Sequence, residues 1–210
     1  MANSLVIVNT GCANISSVKF AFERLGSSVE VSDDVTIISK AQRVLLPGVG
    51  SAPAAMKSIR KKQLVDCLRS LTQPTLGVCL GMQLMVNDSQ EGEFGKTELT
   101  DCLGLMPGRV HRMQVGNQRL PHMGWNKVSS KYDNPLFKGI GDGEHFYFVH
   151  SFAVNEYEHT LATCEYGNNA IEQENSFSAA IHKNNFFGVQ FHPERSSDAG
   201  AHLLQNFIQL

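Results

Sequence analysis

The chain has 210 residues, enough to bury one sizeable core and too few for two ordinary domains with a linker, so residues 1–210 are read as one domain. Apolar residues make up 42% and charged residues 18%, which excludes a disordered chain, and a net charge of −2 gives nucleic-acid binding little electrostatic support. Five scattered cysteines, none in a CxxC pair, argue against a disulfide framework and a structural zinc site, and no apolar run reaches the ~18 residues of a membrane span. With no basic leader before the first strand, a cytoplasmic protein is expected.

Ser4 to Val8 reads as a buried strand that ends in Asn9-Thr10-Gly11. Asn14 is placed to cap a helix from Ile15 to Leu25, with Ile15, Val18, Phe22 and Leu25 at helical spacing and Gly26 at its end. A strand from Ser28 to Val31 follows, and this strand, helix, strand order predicts a parallel α/β sheet. Arg43 to Leu46 is a third strand, broken by Pro47-Gly48-Val49-Gly50, and Pro53 suits the first turn of a helix reaching about Arg60. Leu64 to Leu71 is a further helix, ended by Pro74. Asn87 to Glu93 reads as a polar surface loop.

From Leu105 the pattern changes to short strands: Arg109 to Met113, Asn126 to Ser129, Glu144 to Phe152, Leu161 to Tyr166, Phe177 to His182 and Phe186 to Phe191. Asn184-Asn185 suits a hairpin turn because asparagine tolerates positive φ. Antiparallel or mixed strands are therefore expected in the second half, closed by a helix from Ser197 to Leu210.

The chemistry centres on Thr75-Leu76-Gly77-Val78-Cys79-Leu80-Gly81-Met82-Gln83, where an apolar strand turns through small residues into an apolar, helix-like run continuing to Val86. Such a turn presents Cys79 at a helix start, where the positive end favours thiolate over thiol, and aims the Leu80 N–H at the oxyanion of an attacked carbonyl. Taken alone, the segment reads equally well as a core cysteine after a buried strand. Gly188-Val189-Gln190-Phe191-His192-Pro193-Glu194 adds a histidine able to act as base for Cys79 and a carboxylate able to orient it. His192-x-Glu194 lacks a third ligand of compatible spacing, so no metal and no cofactor is expected.

Gly-Val-Cys-Leu-Gly-Met-Gln with a late His-Pro-Glu resembles the class I (triad) glutamine amidotransferases. Pro47-Gly48-Val49-Gly50, Pro121-His122-Met123-Gly124-Trp125-Asn126 and Tyr147-Phe148-Val149-His150-Ser151 narrow the resemblance to the glutaminase subunits of imidazole glycerol phosphate synthase. It implies an α/β fold with a central, mostly parallel sheet flanked by helices and added antiparallel strands. It also implies a Cys79, His192, Glu194 triad, oxyanion donors at Gly50 and Leu80, and glutamine contacts from Gln83, Glu91, His150 and Ser151. Its partner is a separate (β/α)8-barrel synthase subunit, forming a heterodimer, and Asn14, His122, Met123, Trp125, Asn126 and Tyr147 would face it. The first loop, Asn9 to Asn14, keeps only Gly11 and Asn14 of the Asp-Tyr-Gly-x-Gly-Asn common in that family. The alternatives are the glutaminase of another triad amidotransferase and an inactive binding module of the same fold; core packing is the commoner fate of a lone tryptophan such as Trp125.

Overall fold

In the first strand Leu5 and Ile7 point to one face and Val6 and Val8 to the other, and all four are buried. That pattern belongs to a strand covered on both sides. The computed structural model describes residues 4–11, 14–92, 98–131, 133–168 and 175–210. In chain order its first half contains β1 (Ser4–Val8), α1 (Ile15–Arg24), β2 (Ser28–Ser32), α2 (Val35–Lys40), β3 (Arg43–Gly48), α3 (Ala52–Lys61), α4 (Val65–Arg69), β4 (Thr75–Cys79) and α5 (Leu80–Gln83). The second half contains β5 (Asp88–Ser89), β6 (Thr100–Asp101), β7 (Arg109–Arg112), β8 (His122–Ser130), β9 (Glu144–His150), β10 (Phe152–Val154), β11 (Thr160–Glu165), β12 (Ser176–Lys183), β13 (Phe186–Val189) and α6 (Ser197–Gln209).

The main sheet runs β2-β1-β3-β4-β13-β12-β11-β8-β9. Strands β2 to β13 in that order are parallel, and β12, β11, β8 and β9 add antiparallel. The mixed sheet agrees with the expected fold class. Its two faces carry separate cores: Leu5, Ile7 and Phe187 lie under α1 and α6, where Phe22 meets Phe207 edge-on at 6.3 Å, whereas Val6, Val8 and Leu46 lie under α2, α3 and α4. No helix among the described residues is long and apolar enough to cross a membrane.

Several elements differ from the sequence-based expectations, each for a local reason. Asn14 makes no side-chain cap on α1. Helix α2 is an addition to the expected elements, although Asp34 caps it by accepting from the Thr36 and Ile37 N–H groups at 2.7 and 3.3 Å. Helix α5 is one turn rather than a run to Val86, because the carbonyls of Leu84, Met85 and Val86 accept from Leu103, Leu105 and Gly104 instead of continuing the helix. The expected strand Glu144 to Phe152 is two strands divided at Ser151, with β10 leaving for a small second sheet ordered β10-β7-β5-β6. Within the expected loop, Asp88 and Ser89 pair in that sheet, while Glu93 lies outside the described residues. Asn184 has φ +56 in the Asn184-Asn185 turn, as its residue type predicts.

Candidate active site

Cys79 ends β4 with φ +53 and ψ −113, a backbone conformation that costs a non-glycine residue on the order of 1–3 kcal/mol. The turn survives because its neighbours are small. A Cβ on Gly77 would lie 2.7 Å from the Met82 nitrogen, one on Gly48 2.8 Å from the Gly81 nitrogen, and one on Gly81 1.9 Å from the Leu46 carbonyl oxygen. The α5 turn is therefore clamped directly onto the backbone of β3, and the Cys79 side chain faces a cavity of about 400 Å³.

Strand β13 lies parallel to β4, with Val189 opposite Val78, so the chain beyond β13 reaches the same sheet end as Cys79. His192 is pinned there by β9: its N–H donates to the Tyr147 carbonyl at 2.8 Å, while Ser196 Oγ donates to its carbonyl at 2.6 Å and accepts from the Tyr147 N–H at 3.0 Å. His192 Nδ1 meets Glu194 Oε1 at 2.9 Å, both side chains nearly buried. Nε2 is buried with no hydrogen-bond partner among the described residues. Burial by itself would lower the proton affinity of this ring, but the Cys79 sulfur and the Glu194 carboxylate outweigh it and push the pKa upward. Sulfur, imidazole and carboxylate in series can perform nucleophilic acyl transfer.

The other expected site residues divide into two groups. Gly50, Leu80, Gln83, Glu91, His150, Ser151 and Asn14 line the cavity with the Cys79 group. Gly50 has φ +94, which leaves the Pro47 to Gly50 loop dependent on glycine at its end. Glu91 reaches across from the small sheet to accept the Ala52 N–H at the start of α3, at 2.8 Å. Burial raises its pKa and that N–H lowers it, with burial the larger effect. Met123 and Trp125 stand outside the cavity on the free face of β8, 63% and 52% exposed, with Trp125 edge-on to Tyr147 at 6.2 Å. Tyr147 in turn carries the Arg195 guanidinium 4.8 Å above its ring.

His122 does not join that exposed face. Alternation along β8 turns it inward, where it is 3% exposed and stacked on Phe148 and Tyr166. It pairs with His150 across β8 and β9, and their rings meet at 3.1 Å. The proton positions follow from the ends of the chain. His150 Nδ1 must donate to the Phe152 carbonyl at 2.9 Å, so its Nε2 accepts from His122 Nδ1, and His122 Nε2 accepts from the Asn126 amide. Asn126, only half-buried, is itself held by the Glu165 carbonyl. Burial is the main cause that depresses both pKa values, to about 4 for His122 and about 3 for His150.

Both rings therefore stay neutral in the fold while the unfolded chain takes up protons near pH 6.5, and stability is present above that pH and lost as pH falls below it. The expected slope is at most about 1.4 kcal/mol per pH unit for each ring. Urea unfolding between pH 6.5 and 5 should show the loss, and the His122→Gln variant should show a shallower slope than the parent; equal slopes would contradict it.

Sequence reasoning misses Gln190. It is fully buried, with Oε1 accepting from Gln83 Nε2 at 2.9 Å and Nε2 3.7 Å from the Cys79 sulfur. Its signal is a glutamine between the apolar run Phe186 to Val189 and Phe191, two residues before His192. Among the described residues no group of His, Cys, Asp and Glu is arranged to hold a metal ion.

The glutamine amidotransferase class-I family model matches residues 6–210. The chain is 53% identical over 206 residues to imidazole glycerol phosphate synthase subunit HisH 1 of Vibrio vulnificus strain YJ016, covering 98% of each chain. It is 50% identical to the HisH subunit of Vibrio cholerae, covering all of both chains. Among solved structures it resembles a glutamine amidotransferase (TM-score 0.70, 18% identity, covering 98% of this chain and 99% of that one) and PurLQS from Thermotoga maritima (TM-score 0.68, 19% identity, covering 100% and 99%), likenesses that bear on fold alone. The chain belongs to the class I glutamine amidotransferases and, within them, to the family of imidazole glycerol phosphate synthase HisH subunits.

Proposed function

We propose that this chain hydrolyses glutamine to glutamate and ammonia through a Cys79, His192, Glu194 triad and delivers the ammonia to a separate (β/α)8-barrel synthase subunit in histidine biosynthesis. The observation that carries the reading is the meeting, in one cavity, of a strained Cys79 at a strand end with a His192 ring oriented by Glu194.

The Cys79 thiolate attacks the side-chain amide carbon of glutamine, and the N–H groups of Gly50 and Leu80 hold the oxyanion. Protonated His192 gives its Nε2 proton to the leaving nitrogen, which departs as ammonia, leaving a γ-glutamyl thioester on Cys79. His192 then takes a proton from water as the water attacks; the thiolate is expelled and glutamate leaves. Glu194 keeps Nδ1 protonated throughout. The Glu91 carboxylate oxygen that does not accept the Ala52 N–H suits the substrate ammonium, and the backbone at His150 and Ser151 suits its other end. Gln83 has both amide hydrogens committed inward, to the Phe152 carbonyl and to Gln190, so only its oxygen remains for substrate.

In this reading the ammonia-using reaction belongs to the separate barrel subunit, a fold of about 250 residues. In a cytoplasmic heterodimer, ammonia would cross the interface without release to solvent. Exposed Met123 and Trp125, with Tyr147 beside them and the cavity residues Val149 and Arg195 at their edge, suit the role of docking face. Trp125→Ala is expected to weaken the complex by about 10- to 100-fold, as loss of a buried aromatic anchor does, with the thermal unfolding of the free subunit unchanged. Titration with the barrel subunit measures it, and an unaltered affinity would remove Trp125 from the interface.

Glutamate release by the purified chain, alone and with the barrel synthase and its ribotide substrate, tests the assignment. Strong stimulation by the loaded barrel is expected. Turnover equal in both conditions would keep the glutaminase and discard the coupling to that partner; no turnover in either would discard the enzyme.

A further inference from the structure

The polar chain running behind the nucleophile is anchored at a backbone carbonyl, which fixes the orientation of every amide in it. A carbonyl oxygen can only accept, so Gln83 must present its NH2 to Phe152, at 2.8 Å. The other hydrogen of that NH2 goes to Gln190 at 2.9 Å, which forces Gln190 to offer its oxygen to Gln83. The Gln190 NH2 is then left pointing at the Cys79 sulfur, 3.7 Å away. The Phe152 carbonyl also receives His150 Nδ1–H, so the His122 and His150 pair and the two glutamines are oriented from one point.

We propose that Gln190 is a hydrogen-bond donor to the Cys79 thiolate and that Gln83 is the positioning residue that keeps the Gln190 amide turned donor-first. This rests on the reading of Cys79 as the nucleophile. The arrangement is chemically directed: reversing the Gln190 amide would place its carbonyl oxygen, an electron-rich acceptor, against a negatively charged sulfur. Gln190 and Gln83 are 0% and 4% exposed, so water does not substitute for either group from outside. A single donor on the thiolate leaves other sulfur lone pairs for attack on substrate. The same donor stabilises the thiolate whenever it is regenerated as the leaving group of thioester hydrolysis.

The test is the pH dependence of Cys79 alkylation by iodoacetamide, read by mass spectrometry on the peptide that carries Cys79. It needs neither glutamine nor a partner, so it stands apart from the glutaminase assignment, which glutamate release tests separately. Gln190→Met, close in length and without the donor, should move the alkylation midpoint upward by about one pH unit and slow alkylation about tenfold below the midpoint. Gln190→Glu, nearly isosteric and still able to accept from Gln83, should shift it further by placing a carboxylate beside the sulfur. Gln83→Leu should move it in the same direction by less, since it frees the Gln190 amide to turn. Midpoints for the Gln190→Met and Gln190→Glu variants equal to the parent's would overturn the proposal and leave Gln190 a packing residue.

Discussion

Cys79→Ala is expected to lower glutamine-dependent glutamate release by on the order of 10⁴- to 10⁶-fold, the scale on which loss of a covalent nucleophile acts. Synthesis driven by added ammonia should be unaffected, because that reaction occurs on the partner. The contrast separates an enzyme from a binding module, since a module would keep its role without the sulfur. Cys79 is a small residue at a position where φ is +53, so alanine keeps the same backbone cost and removes the thiol alone. His192 replacement should give a loss of similar size, and combining the two should add little, as groups acting in one step are not additive. Independent, multiplying losses would mean that the two side chains do not share a step.

Gly81→Ala is expected to be the most damaging small substitution in the site's scaffold. Its Cβ would lie 1.9 Å from the Leu46 carbonyl oxygen and 2.8 Å from the Leu46 carbonyl carbon, both backbone atoms of the central strand β3. Neither can move without parting β3 from β4, so the cost should reach about 3 kcal/mol or more in urea unfolding. Gly26→Ala is the control: its φ of +80 imposes conformational strain, but the new Cβ would meet nothing within 4 Å, and about 1 kcal/mol is expected. Similar losses at the two positions would mean that close approach of the elbow to β3 is not what demands glycine at position 81.

The elements that can be read from the chain are those with their own periodicity or punctuation. β1, β4 and α6 carry long apolar patterns, and the Asn184-Asn185 turn carries its residue preference. Helix α2 escapes because six residues hold too little pattern to distinguish it from loop, and α5 is overextended because its carbonyls are taken by a segment nearly twenty residues downstream. The triad candidates are legible because each lies in a compact motif, with Glu194 two residues from His192. Their meeting depends on β13 inserting beside β4, a parallel pairing across 111 residues for Phe186 and Thr75 that no local pattern encodes.

The misplacement of His122 has the same origin. On a resembling segment it counts as a partner-facing residue, yet the alternation of β8 assigns it to the opposite side from Met123 and Trp125. Its hydrogen bond to His150 crosses two strands joined by a long connection. Gln190 is hidden differently: one buried polar residue just past the end of β13 has no motif, and its meaning appears only when Cys79 and Gln83 arrive from β4 and α5.

The most direct measurement is acid-quenched turnover of glutamine by the assembled enzyme, followed by peptide mass mapping. An added glutamyl group is expected on the peptide bearing Cys79, removable by hydroxylamine as a thioester is, and absent from the Cys79→Ala variant. Sustained glutamate release with no adduct on that peptide, or turnover that survives Cys79→Ala, would contradict acyl transfer through Cys79.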